Sequence, residues 1–249
     1  FFRFFAWYGD GRPDPEGLRA CARLKEGLDR LSAERVWSEL KKLLCAPDPA
    51  RALLWMRQAG VLSRVLPESD KWGIDAIHAL ADTERALGWG PDPLLRLEAM
   101  VPPDAARMKE LAARLRLSTA EANRLQRWAL TPAVVPETAE GALARMLYLG
   151  DPQGVTDRLR LALAAARGRA AQSDGALVEA GGFFRQLAYA GKWQRPVFPV
   201  KGADLAALGI AQGPKLGALL RRIEEEWMET GFTLGREALL ARAAGMIGN

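Results

Sequence analysis

A single histidine, two cysteines and three tyrosines are spread through 249 residues, and each shortage closes off a class of chemistry. Zinc hydrolysis draws on clustered imidazoles and carboxylates, yet His78, within Ile74-Asp75-Ala76-Ile77-His78-Ala79-Leu80, has no second imidazole to join it. It reads as an ordinary helical histidine. Cys21 and Cys45 lack the C-x-x-C spacing of zinc or redox sites and read as small, partly buried hydrophobes, which suits a reducing cytoplasm. No Gly-x-Ser-x-Gly elbow, Walker phosphate loop or dinucleotide fingerprint occurs. No run nears the roughly 18 uninterrupted apolar residues that cross a bilayer, since Leu159–Ala166 is short and flanked by arginines. The expected setting is the cytoplasm, with no membrane partner, and no catalytic residue or metal ligand is assigned.

What the sequence does hold is an ordinary globular balance, 49% hydrophobic and 26% charged, far from the composition of disordered chains. Net charge is +5, an excess that permits a polyanionic partner without demanding one. Its distribution says more. Residues 1–65 carry 12 Lys/Arg against 8 Asp/Glu, residues 66–150 carry 10 against 12, and residues 151–249 carry 13 against 10. Two basic ends around a middle that is not basic suit RNA contacts at separated places. The start at Phe1, without an initiator Met or a signal-peptide layout, reads as a cut inside a longer protein.

Helix signals recur and alternating strand patterns do not. Asp48-Pro49, Asp92-Pro93 and Asp151-Pro152 each precede an apolar-periodic stretch. The carboxylate there accepts free backbone N–H groups, while proline takes a position that needs none. Ser118 with Glu121 forms a capping box, and Gly60 and Gly88 sit where helix ends need a left-handed residue. These marks predict an all-α, elongated array of small helical units with no significant sheet. Helices are expected near 15–24, 32–46, 49–59, 73–87, 92–100, 104–116, 119–130, 138–149, 152–168, 176–190, 203–208, 214–230 and 235–245. On the second of these, Val36, Leu40, Leu43 and Leu44 form one stripe, expected to pack on Ala52, Leu53, Trp55 and Met56.

Two segments carry more than core patterning. Phe1, Phe2, Phe4, Phe5, Trp7 and Tyr8 put six aromatics into eight positions. They could stack bases, or they could be an interior helix that has lost its cover, to be hidden by self-association or by folding back. The second is Lys201–Gly209 running into Gly213-Pro214-Lys215. A helix opened by Gly-Pro, with Lys215 in its first turn, presents free N–H groups and an ammonium together, as an anion site would. The same glycines also fit tight helix packing. Arg221 and Arg222 follow, offset by Glu224, Glu225 and Glu226.

At these residues the chain resembles a known family. Leu31-Ser32-Ala33-Glu34-Arg35-Val36-Trp37-Ser38-Glu39-Leu40-Lys41-Lys42-Leu43-Leu44 is similar to the S-x-E-R-(hydrophobic)-x-x-E-L-x-K-L-L neck segment of class II tRNA nucleotidyltransferases and bacterial poly(A) polymerases. Ala52-Leu53-Leu54 through Gly60-Val61-Leu62 to Leu66-Pro67-Glu68 resembles the helix and turn that follow it, and Arg3-Phe4 resembles the pair that opens the neck. Gly202, Asp204, Leu205, Leu208, Gly209, Gly213, Pro214, Gly217 and Leu220 meet the family's carboxy-terminal G-x-D-L-x-x-L-G-x-x-x-G-P-x-x-G-x-x-L pattern.

The resemblance implies a neck with RNA-binding helices over 1–68, a helical body over 69–168, and a tail with a helix-turn-helix-like Gly-Pro element over 169–249. It implies tRNA as the partner. The paired-carboxylate metal site and the E-D-x-x-R nucleotide-reading element of the family lie upstream of the arginine-phenylalanine pair. Magnesium, CTP and ATP therefore belong to the intact enzyme, and this chain alone is expected to bind none of them and to be inactive. Glu34 and Arg35 match the neck motif, whose implied role is to brace the nucleotide pocket from behind. Lys41, Lys42, Gly213, Lys215 and Arg221 are the expected RNA contacts. The alternatives are a poly(A) polymerase or partial CCA-adding enzyme and, of another class, a helical protein-interaction module.

Overall fold

The computed structural model describes residues 1–69 and 73–247, and among these it is helical, with no strand. In chain order the helices are α1 (Phe2–Tyr8), α2 (Pro15–Leu24), α3 (Ala33–Leu44), α4 (Ala50–Gln58), α5 (Leu62–Val65), α6 (Ile74–Leu87), α7 (Pro93–Met100), α8 (Ala105–Arg114), α9 (Thr119–Leu130), α10 (Glu140–Leu149), α11 (Pro152–Ala170), α12 (Asp174–Lys192), α13 (Gly202–Ala206), α14 (Pro214–Glu229) and α15 (Arg236–Ile247). The all-α reading and the thirteen expected helices match this order. None of the thirteen covers α1, the single turn α5 or the 3-10 turn Lys25–Arg30, and the turn at Pro67–Ser69 is signalled only by the resemblance. One turn is too short to show a hydrophobic period.

Local chemistry sets the helix ends. Asp92 accepts from the amides of Leu94 and Leu95 with Pro93 at the first helical position, and the Ser118–Glu121 capping box is complete. At Asp48-Pro49 the helix starts one residue later than the pattern implies. Pro49 is the cap, and Asp48 accepts from the Ala50 amide. Gly60 and Gly88 adopt φ of +69° and +68°, which a side chain would resist.

Packing separates two units: residues 1–137 with 153–187, and residues 138–152 with 188–249. The boundaries at 68/69 and 168/169 expected from the sequence fall inside the first of these.

In the first unit, Trp37, Leu40, Leu43 and Leu44 of α3 share a buried core with Ala52, Leu53 and Met56 of α4, and with Leu125 and Trp128 of α9. Val36 and Trp55 join as half-buried neighbours. Each large side chain removed from water there stabilises the fold by about 1.5–3 kcal/mol. The interior is not wholly apolar. Arg96 on α7 is held by Glu84 and donates to the carbonyls of Leu44, at 2.5 Å, and Ala46, so one buried guanidinium satisfies the open end of α3. Arg124 on α9 bridges Asp92 at 2.6 Å and the fully buried Asp157 of α11 at 2.9 Å.

In the second unit, Val200, Leu205, Ile223, Trp227, Leu239 and Ala243 form the core. The Trp227 ring meets those of Tyr148, Phe198 and Phe232 at 5.6, 5.2 and 5.0 Å between centroids. The Tyr148 hydroxyl donates to Glu224 at 2.6 Å. Burial, and then the Glu224 carboxylate, push this phenol up to about 12.

Candidate nucleic-acid interface

The neck-like segment begins at Ser32, whose hydroxyl caps α3 by accepting from the Arg35 amide. Glu34 and Arg35 thereby occupy the first turn. Hydrogen bonding to the backbone at this helix start, and then Arg116 at 2.9 Å, hold the Glu34 carboxyl below its ordinary range. Arg35 is exposed and, with Glu34, borders a cleft of about 690 Å³ floored by apolar side chains such as Phe2, Leu40 and Val65.

The two lysines of α3 are not equivalent. Lys41 Nζ lies 2.6 Å from Glu121, a carboxylate that also accepts from the indole of Trp37 at 3.3 Å. Burial works to raise the Glu121 carboxyl, but Lys41 and Ser118 outweigh it and hold the group below its ordinary value. Lys41 therefore ties α3 to α9. Lys42 donates to Glu39 at 3.2 Å, and Glu39 also accepts from Arg3 at 2.6 Å. These two hydrogen bonds, Arg3 first, keep Glu39 below the usual carboxylate range. With Arg3, Trp7, Ser38 and Cys45, the two lysines border a second cleft of about 390 Å³.

Helix α1 rests against α3 and α4. It buries Phe2 and tucks in Phe5, while Phe1, Phe4, Trp7 and Tyr8 remain exposed. The Trp7 indole donates to the Lys42 carbonyl at 2.9 Å, and Arg3 lies over the Phe4 ring at 4.3 Å. The aromatic end is thus partly folded back and partly open.

In the second unit, Gly213 caps α14 at φ +151°, Pro214 is its first residue, and Lys215 follows in the first turn. Lys215, Arg221 and Arg222 are exposed and make no hydrogen bond or ion pair among the described residues. Arg222, seven residues on, shares the face of Lys215, whereas Arg221 lies round the helix. Of the acids that follow, Glu226 pairs with Arg242 at 3.1 Å, while Glu224 accepts from the neutral Tyr148 hydroxyl and keeps its charge. Asp204 pairs with Arg236 at 2.7 Å and accepts from the Lys201 amide, and both, Arg236 first, lower its carboxyl.

His78 has Asp48 at 3.1 Å from Nδ1 and Asp82 at 3.4 Å from Nε2. Among the described residues, no group of three or more His, Cys, Asp or Glu side chains is placed to hold a metal ion. No helix there is long and apolar enough to cross a membrane.

Comparison with known proteins agrees with this layout. Residues 12–72 match a family described as the probable RNA and SrmB-binding site of polymerase A. The mitochondrial CCA tRNA nucleotidyltransferase 1 of Mus musculus is 26% identical over 255 residues, which cover 96% of this chain and 53% of that protein. The multifunctional CCA protein of Verminephrobacter eiseniae is 30% identical over 261 residues, 88% of this chain and 62% of that protein. The CCA-adding enzyme of Bordetella pertussis is 43% identical over 68 residues, 26% of this chain and 19% of that protein. The chain spans about half the length of the first of these relatives. The helical first unit therefore contains a segment similar to an RNA-binding element described for polymerase A. More narrowly, the chain is similar over most of its length to CCA-adding proteins and resembles the CCA-adding enzyme and poly(A) polymerase family.

Proposed function

We propose that this chain is the tRNA-holding part of a CCA-adding nucleotidyltransferase. The reading is that it grips tRNA while a catalytic part of the intact protein adds cytidine and adenosine to the 3′ end from CTP and ATP. The observation that carries it is the match of residues 12–72 to an RNA-binding element, in a chain similar to CCA-adding enzymes over almost its whole length. The unpaired cations Lys215 and Arg222 on one face of α14 support it, since charges left free are available to phosphate. On the same reading, Glu34 and Arg35 brace the nucleotide pocket from behind.

Magnesium, which the resemblance implies for the intact enzyme, has no donor set among the described residues. A second reading, a poly(A) polymerase, draws on the family's description as an element of polymerase A.

The test is incorporation. Supplied with tRNA lacking its 3′ end, CTP, ATP and magnesium, the chain alone should add no nucleotide, and the intact protein should add C, C and A in turn. Addition by the chain alone contradicts the division of labour, and untemplated runs of A from the intact protein favour the second reading.

A further inference from the structure

Helix α2 carries cations that nothing in the chain holds. Its inner face, with Leu18, Cys21 and Ala22, packs on the core of the first unit, while Arg19 and Arg23 are exposed. Four residues apart, these two stand one above the other along the helix. Arg12, just before α2, is exposed as well. None of the three guanidinium groups makes a hydrogen bond or an ion pair among the described residues.

The acids around them are mostly occupied. Asp10 accepts from the Gly11 amide and Asp14 from the Gly17 amide, while Glu26 and Asp29 both face Arg64. Glu16 is the one acid of α2, and it makes no ion pair with Arg19 although the spacing allows one. Arg12, Arg19 and Arg23 are therefore left out of local ion pairing, in contrast to α3, where Lys41 and Lys42 already hold carboxylates.

We propose that Arg19 and Arg23, with Arg12 just before the helix, form a ridge that contacts the sugar–phosphate backbone of RNA. The proposal rests on the tRNA-holding reading above and assigns its contact surface in the first unit. Arginine suits the task because its planar, permanently charged fork can take two phosphate oxygens at once. The contact positions the RNA without reading sequence, because phosphates carry no base identity. The ridge falls within residues 12–72, but the match does not say which face of the element meets RNA.

The experiment compares the whole chain with Arg19→Gln/Arg23→Gln and Arg19→Lys/Arg23→Lys, measuring tRNA affinity by anisotropy across a salt series, with melting temperature as the control for folding. In the glutamine variant the slope of log affinity against log salt should fall by about 1.5–2 units, as two phosphates go without a neutralising cation, and affinity near 0.1 M salt should drop by about tenfold or more. The lysine variant should keep most of the slope. Melting should be unchanged in both, because these side chains hold nothing in the fold. If the parent binds with a steep salt slope and the glutamine variant matches it, the ridge is refuted while the tRNA-holding reading stands. Equal weakening in both variants also refutes it, because charge would not be the cause. If the parent binds no tRNA even at low salt, the ridge and the reading fail together.

Discussion

Arg96 and Glu84 meet at 2.6 Å in the interior of the first unit, almost sealed from solvent, their side chains 1% and 3% exposed. A buried ion pair lasts only where further hydrogen bonds offset the desolvation of both charges. Arg96 meets this requirement by donating also to the carbonyls of Leu44 and Ala46. Burial still pushes the Glu84 carboxyl up, even with the guanidinium against it. The pair fixes α6 and α7 to the end of α3.

Arg96→Ala should therefore cost about 3–5 kcal/mol, because it strands a buried carboxylate and leaves helix-end carbonyls without a donor. Arg96→Lys should recover little, since an ammonium cannot reproduce the planar fork. Denaturant unfolding checks both, and a destabilisation of under about 1 kcal/mol for the alanine variant, the level of an exposed pair, contradicts the account.

Helix positions are legible in the sequence because their ends carry local chemistry, such as the Asp92-Pro93 start and the Ser118–Glu121 box. The polar interior is not. Glu84, Arg96, Glu98 and Asp157 look like solvated helix positions, and only the packing of α7 against α3, α6 and α9 takes those of α7 out of water. The candidate site was legible in part. Glu34, Arg35 and the Gly213-Pro214-Lys215 turn are recognisable from motif, but Glu121, which holds Lys41, lies 80 residues away. The availability of Arg19 and Arg23 is likewise invisible until the acids around them are seen to be engaged elsewhere.

Glu98 makes stability depend on pH. Burial first, then the nearby Asp157 carboxylate, push its carboxyl well above the ordinary range, and neither of its oxygens has a hydrogen-bond partner. A raised folded value means that stability is full below the ordinary glutamate range and is lost as pH rises through the folded value. Glu98→Gln removes that loss. Relative to the parent it should be more stable near pH 8, by on the order of 1–3 kcal/mol, with the advantage shrinking toward pH 4. Unfolding midpoints across that range decide it, and parallel curves for the two proteins contradict the assignment.

Lys215→Glu should weaken binding of different tRNAs by a similar factor and lower the salt slope by about one unit for each phosphate that is no longer neutralised. Helical content should hold, because an acidic residue is tolerated in a first helical turn. A variant that folds normally and binds as the parent does at low and moderate salt would make the Gly213-Pro214-Lys215 turn packing architecture alone.

The most direct test of the central claim is equilibrium binding of this chain, without any catalytic part, to tRNA lacking its 3′ end, between about 50 and 200 mM salt. The account predicts binding whose log affinity falls linearly with log salt, by several units of slope, as bound counterions are released from phosphates at more than one place. Absence of binding at the lowest salt, or an affinity that does not change across the series, would contradict it.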